Sequence, residues 1–281
     1  MNYRHAFHAG NFADVLKHLV LARVLVHLRE KPKPFRAIDT HAGLGFYDLT
    51  AEEAGRTGEW HDGWGRLDAP FPEAVEALLA PYRAAVAATK ARHGETTYPG
   101  SPALIREFLR PGDRGVFVEL HPADAEVLRA RYNQDSRTKV MHRDGWTVLN
   151  ALIPPPERRG VVLIDPPYEV PGEIERVGSA LSRAVEKWPT GVFLAWYPIK
   201  DAAAVDRMVA ALDRTLARPA LRLDLMIDAP DPTRLTGNGL VVINPPWRLA
   251  DEAAVFLPAL AERLARADYG AFRCETFGER S

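Results

Sequence analysis

The chain alternates short continuous apolar runs with longer stretches in which apolar residues recur every three or four positions. Residues 15–28 (VLKHLVLARVLVHL) carry the helical spacing and strong helix formers, and the pattern stops ahead of Lys31-Pro32. The first continuous run, FRAIDT at 35–40, is followed by the glycine turn HAGLG. GVFVEL (115–120), KVMH (139–142), GVVLID (160–165) and GVFLAW (191–196) read as further strands of the kind buried on both faces. Between these runs, helices are expected over 102–110, 122–132, 146–152, 173–188 and 202–216. Strands over 221–227 and 240–244, a helix over 253–265 and a last strand over 271–276 complete the pattern. Strand alternating with helix predicts a doubly wound α/β sheet.

One interval breaks the rhythm. Roughly 70 residues separate Thr40 from Gly115, where a crossover unit needs only roughly 25 to 30. The excess, residues 48–99, contains GEWHDGWGRL and a helical run over 72–92, and reads as an inserted, mainly helical subdomain. After it, GSPALIREFLR restarts the crossover helix, with Ser101 expected as N-cap and Pro102 at the first helical position.

With 281 residues, 47% of them hydrophobic and 26% charged, the chain has ample material for such a core. No window reaches the length of a membrane span, MNYRHAFHAGN lacks a signal-peptide core, and Cys274 is the single cysteine. A cytoplasmic location without disulfides is therefore expected. The net charge of −1 favours no polyanion, but its distribution is uneven. Residues 1–36 hold seven Lys and Arg against Asp14 and Glu30, a local excess of +5, together with His5, His8 and His18. Such a segment suits a phosphate backbone, and equally a solvated helix face. The three histidines have no Cys or carboxylate cluster to complete a tetrahedral set, so no metal is expected.

In an open parallel sheet, ligands bind beyond the carboxyl ends of the strands, where the strand order switches. Those ends carry Asp39 to Gly45, then Glu119, then Asp144-Gly145, then Asp165. The glycine turn, with Gly43 at its centre, permits close backbone approach to a flat cofactor. Glu119 stands where an acid grips ribose hydroxyls, and Asp144-Gly145 could hold an adenine edge. Each acid alone is explained as a helix cap or loop charge; the four in order suggest an adenosine-shaped groove. A nicotinamide dinucleotide would require a third glycine leading into a helix, which HAGLGFYDL lacks. S-adenosylmethionine, with no pyrophosphate, tolerates that departure.

The strand GVVLI ends in Asp165-Pro166-Pro167-Tyr168. Two prolines cannot continue a ladder, so the acid is placed where the chain leaves the sheet. The exocyclic amine of adenine is a poor nucleophile, its lone pair being delocalised into the ring. The Asp165 carboxylate and the Pro166 carbonyl can accept its two N–H bonds and favour a tetrahedral nitrogen, with Pro166-Pro167 fixing the carbonyl. Tyr168 can stack on the extruded base. NPPW at Asn244 to Trp247 has the same pattern, but follows a strand expected near the sheet's margin and reads as a structural turn.

YRHAFHAGNFADVLKH, DTHAGLG, YPGSP, VELHP, RRGVVLIDPPYE, WYP and GLVVINPPW together resemble the RlmJ family of 23S ribosomal RNA adenine-N6 methyltransferases, over nearly the whole chain. The resemblance implies a Rossmann-like class I S-adenosylmethionine-dependent methyltransferase fold, formed by residues 1–47 and 100–281, with 48–99 as the inserted helical subdomain. It implies that His18, His41, Ser101, Glu119, Asp144, Gly145 and Asp165 line the cofactor pocket, beside Gly43 of the glycine turn, and that Asp165 is the catalytic residue at the target amine, within the clamp read above for Pro166, Pro167 and Tyr168. It also implies that Tyr3, His5 and Lys17 contact or position the RNA; the basic segment read by itself adds Arg4, with Tyr3 stacking on a base and Arg4 and Lys17 meeting phosphates. The implied partner is 23S ribosomal RNA, met by a monomer. DNA methylation at the same amine and a non-catalytic RNA-binding protein are the alternatives, and the choice of RNA over DNA rests on the resemblance alone.

Overall fold

The computed structural model describes residues 4–231 and 233–278. Its centre is an eight-stranded sheet of β1 (Arg36–Asp39), β4 (Arg114–Glu119), β5 (Thr138–His142), β6 (Gly160–Ile164), β7 (Val192–Pro198), β8 (Ala220–Met226), β9 (Gly237–Ile243) and β10 (Ala271–Phe277). The spatial order is β10-β8-β9-β7-β6-β1-β4-β5. β5, β4, β1, β6 and β7 are mutually parallel, whereas β9 runs antiparallel to both β7 and β8, and β10 antiparallel to β8. The chain leaves β1 toward β4 and later returns to β6 on its other side, so the switch in order lies between β1 and β6.

The apolar runs form strands because each must supply side chains to two faces. Val161 and Leu163 of β6 enter one hydrophobic cluster, Val162 and Ile164 the other. Leu194 and Phe193 of β7, and Val242 and Val241 of β9, divide in the same way. On the first face lie α1 (Phe12–Arg29), α4 (Ser101–Phe108), α5 (Pro122–Tyr132) and α9 (Leu249–Leu264); on the second lie α6 (Gly145–Leu152), α7 (Glu173–Lys187) and α8 (Ala202–Thr215).

The first helix begins three residues before the segment expected from periodicity. Asn11 caps it, its side chain accepting from the amides of Ala13 and Asp14, both at 3.0 Å. α1 is buried on nearly every side, so it lacks the polar stripe of a surface helix. The reason is the segment between β2 (Phe46–Asp48) and β3 (Thr97–Pro99), a two-stranded antiparallel pair that the sequence pattern did not predict. This segment contains α2 (Glu52–Thr57), two short 3-10 turns and α3 (Glu73–His93), and α3 packs on α1. Leu67, Leu79, Tyr82 and Val86 thereby join the same cluster as Val15, Leu16 and Leu19. Among the described residues no helix is long and apolar enough to cross a membrane.

A core shared between α1 and α3 requires that the two unfold together. Leu79→Ala, at a fully buried position, is expected to destabilise the whole protein by about 2–5 kcal/mol in one cooperative transition. Separate transitions in calorimetry, with residues 48–99 melting first, would contradict the shared core.

Candidate functional site

The end of β1 is held by hydrogen bonds that also shape the glycine turn. Asp39 is fully buried; its carboxyl accepts from the His41 amide at 3.1 Å and from the Ser101 hydroxyl at 2.5 Å. Burial pushes this carboxyl up to about 7, in spite of both donors. Ser101 is thus not the helix N-cap expected from sequence. Gly100 occupies that position and Ser101 is the first residue of α4, its hydroxyl serving Asp39 rather than the helix end.

Gly43 has φ +58°, and an added Cβ there would lie 2.3 Å from the Tyr47 hydroxyl. Its amide donates to Glu119 Oε2 at 2.8 Å, while the His121 amide donates to Oε1 at 2.7 Å. Gly145 comes so close to β1 that a Cβ would meet the Thr40 carbonyl at 2.1 Å. Asp144 caps α6 by accepting from the Trp146 amide at 2.9 Å. The His41 ring stands edge-on to Trp146 at 5.4 Å, and burial lowers its pKa to about 4, which leaves it neutral. His18, His41, Gly43, Ser101, Glu119, Asp144, Gly145 and Asp165 all line one cavity of about 320 Å³ beyond β1 and β4.

A second cavity, about 730 Å³, opens on the other side of Asp165. Asp165, Pro166, Pro167, Lys17, His5 and Glu173 line both cavities and form their common wall. Lys17 Nζ lies 2.5 Å from Asp165 Oδ2 and 2.8 Å from Asp14 Oδ1. Burial disfavours the ammonium, but the two carboxylates outweigh it and raise the Lys17 pKa well above its usual value. Asp14 also accepts from the Gly10 amide at 2.9 Å and pairs with His5 Nε2 at 3.0 Å. Burial opposes its ionisation, yet the charges of His5 and Lys17 hold it well below the ordinary carboxylate range. His18, one turn along, is driven by burial to about 3 and pairs through Nδ1 with the Tyr98 hydroxyl at 3.0 Å. Tyr168 adopts φ +52°, donates to the Trp196 carbonyl at 2.5 Å and sets its ring edge-on to Trp196 at 5.5 Å.

The N-terminal residues are placed differently from expectation. Lys17 does not reach solvent to meet a phosphate, because it is buried between two acids. Arg4 pairs with Asp124 at 3.2 Å, and Asp124 lines the smaller cavity. His5 reaches both cavities, and Tyr3 lies outside the described residues. NPPW is a turn, but not at the margin. β9 lies inside the sheet and, being reversed, delivers Asn244 to the end opposite Asp165, where its amide donates to the Pro189 and Gly191 carbonyls at 3.0 and 2.7 Å.

Four site residues had escaped assignment. Asp14 shares a helix face with Lys17 and His18, and three polar residues at that spacing in the apolar first half of the helix were the signal. Trp196 packs beside Tyr168, and Trp146 walls the smaller cavity. Glu173, only 6% exposed, borders both cavities, its Oε2 has no hydrogen-bond partner among the described residues, and burial raises its carboxyl.

A sheet whose strand order switches between β1 and β6, that carries a reversed β9 beside β7 and closes over an acid-lined cavity, has the fold of a class I S-adenosylmethionine-dependent methyltransferase. The chain matches, over residues 32–276, the model of the family described as ribosomal RNA large subunit methyltransferase D, RlmJ, and it belongs to that family. It is 40% identical to Ribosomal RNA large subunit methyltransferase J of Escherichia coli K12 over 96% of each chain. The protein of the same name from Haemophilus influenzae is 37% identical over 98% of each chain. A crystal structure of a Legionella pneumophila protein, 32% identical, superposes with a TM-score of 0.85 and covers 96% of this chain and 98% of its own.

Asp39 gives the site a pH signature. Its folded pKa of about 7 lies above the ordinary 3.8, so the stability from keeping it protonated is complete below about pH 4 and is lost as pH rises through 7. Asp39→Asn should flatten the fall in Tm between pH 4 and 7. Parallel Tm–pH curves for the variant and the parent would refute the assignment.

Proposed function

We propose that the chain methylates the N6 amine of an adenine in 23S ribosomal RNA, with Asp165 at the reacting nitrogen. The observation that carries this reading is the position of Asp165 and Pro166 on the wall shared by the two cavities. Bound S-adenosylmethionine supplies the methyl group. The residues of the smaller cavity fit that cofactor. Glu119 keeps acceptor lone pairs for ribose hydroxyls beyond those used by Gly43 and His121, and the bare glycines let the backbone approach a flat ligand.

Asp165 and the Pro166 carbonyl accept the two N–H bonds of the amine, which restores lone-pair density to the nitrogen. Lys17 occupies Oδ2 of Asp165, so the carboxylate is oriented before the base arrives and Oδ1 remains for the amine. The Pro166-Pro167 pair stiffens the accepting carbonyl. Tyr168, fixed through its hydroxyl to Trp196, offers a ring to the extruded base. Lys17 is therefore read as a positioning residue of the amine clamp rather than a phosphate contact. The family membership and the names of the relatives favour ribosomal RNA over DNA. The same reading has a monomer acting in the cytoplasm, with residues 48–99 as an insertion in the methyltransferase domain formed by 1–47 and 100–281.

Two variants separate the roles. Asp165→Ala should abolish methyl transfer to 23S ribosomal RNA, read by mass spectrometry of the product, while the variant stays folded; near-normal turnover would sink the clamp. Glu119→Ala should weaken S-adenosylmethionine binding by about 1–3 kcal/mol in calorimetry and leave RNA affinity unchanged. Unaltered cofactor affinity would remove Glu119 from the ribose site.

A further inference from the structure

With Lys17 buried and Arg4 paired, the groups first expected at the RNA backbone are engaged elsewhere. The larger cavity carries other cations. β7 ends at Pro198, and Lys200 follows at the same end of the sheet as Asp165. Asp201 caps α8 by accepting from the Ala204 amide at 3.1 Å, and Arg207 lies one turn further on. The reversed β9 pairs Asn238 with Pro198, which brings the β8–β9 connection and Arg234 to this same edge. Lys200, Arg207 and Arg234 all line the cavity that contains Asp165, Pro166 and Tyr168.

Their charges are not equally available. Arg234 is held by Asp228 at 2.8 Å and Asp231 at 3.0 Å. Arg266, also on the cavity wall, is paired with Asp62 at 3.1 Å. Lys200 is exposed and has no carboxylate within ion-pair distance among the described residues. Among the described residues Arg207 has only Asp201 as an ion-pair partner, at 3.9 Å, and with side chains 65% and 62% exposed that pair contributes little. Lys200 and Arg207 can therefore exchange water for phosphate without breaking a buried contact.

We propose that Lys200 and Arg207 form the phosphate-binding edge of the substrate cavity and hold the RNA backbone beside the nucleotide whose base reaches Asp165. This rests on the reading of the chain as an RNA methyltransferase. A base presented to Asp165 must leave its stack, whether from a single strand or by extrusion, and the phosphates on either side of it then pass the cavity mouth, where a lysine point charge and an arginine fork can meet them. The cofactor cavity does not include either residue, so the edge acts on substrate alone.

The test uses Lys200→Ala, Arg207→Ala and the double variant in the full-length protein, with Lys33→Ala, which precedes β1 at the opposite end of the sheet, as control. RNA affinity for a 23S fragment is measured by fluorescence anisotropy across a salt series, cofactor affinity by calorimetry, and turnover at saturating cofactor. Each single variant should lower the slope of log affinity against log salt by about 0.7, and the double by about twice that. KM for RNA should rise several-fold with kcat and cofactor affinity unchanged, and Lys200→Arg should restore the slope. An unchanged slope in the double variant, or a loss confined to kcat, overturns the edge. The parent protein assayed alongside distinguishes the two levels. If it transfers no methyl group to the RNA, the functional reading fails and the edge with it; if transfer is normal and the slopes are unmoved, only the edge fails.

Discussion

The ammonium of Lys17, shared between Asp14 and Asp165, ties the first helix to the end of β6. Three charges in so little water are stabilising only while all three are present, because each ion has lost its hydration. Without the ammonium, two carboxylates would face each other across the common wall of the cavities, with a cost of about 3–5 kcal/mol. The arrangement therefore fixes where α1 lies on the sheet, and with it His18 in the smaller cavity and His5 at the junction. It also gives the segment between β2 and β3 a physical role. A helix that turns its polar residues inward keeps no solvated face, so something must cover its apolar far side, and α3 does so.

Strand direction decides which proline turn faces the site. DPPY and NPPW share their local chemistry, and each follows an apolar strand. β6 runs parallel to β1, so Asp165 emerges beside the glycine turn; β9 runs the other way, so Asn244 emerges at the far end and ties down Pro189 and Gly191. The reversal also places the β8–β9 connection beside Pro198. One antiparallel strand thus removes one candidate from the site and supplies part of the larger cavity's wall.

Much of this was legible in the sequence, because continuous apolar runs and helical spacing report burial directly. The strands of the large sheet and the helices between them fall close to their expected positions, and Glu119, Asp144 and Asp165, at or just beyond the ends of β4, β5 and β6, meet around one cavity, whereas Asp39 of β1 is buried behind it. What was hidden depended on contacts far apart in sequence. The β2–β3 pair is too short for any periodicity. Ser101 looks like a cap until Asp39, remote in the chain, takes its hydroxyl. Glu173 and Trp196 reveal their place only when α7 and β7 are set beside Asp165.

Charge shows the limit most clearly. Residues 1–36 carry the densest basic excess in the chain, and that density suggested a nucleic-acid contact. In the folded protein Arg4 meets Asp124, Lys17 meets Asp14 and Asp165, Arg23 meets Glu252, and Arg36 meets Glu157. Each of the pairs with Asp124, Asp165, Glu252 and Glu157 draws its acid from a distant segment, so four of the seven cations in this segment are met by the net acidity of the remaining chain. A run of basic residues thus measures how many long-range ion pairs a segment can make, as well as what it can attract from solution. The cations left exposed at the larger cavity come instead from a stretch with no basic excess, where Lys200 and Arg207 stand beside Asp201 and Asp206 in the sequence but line the cavity in space.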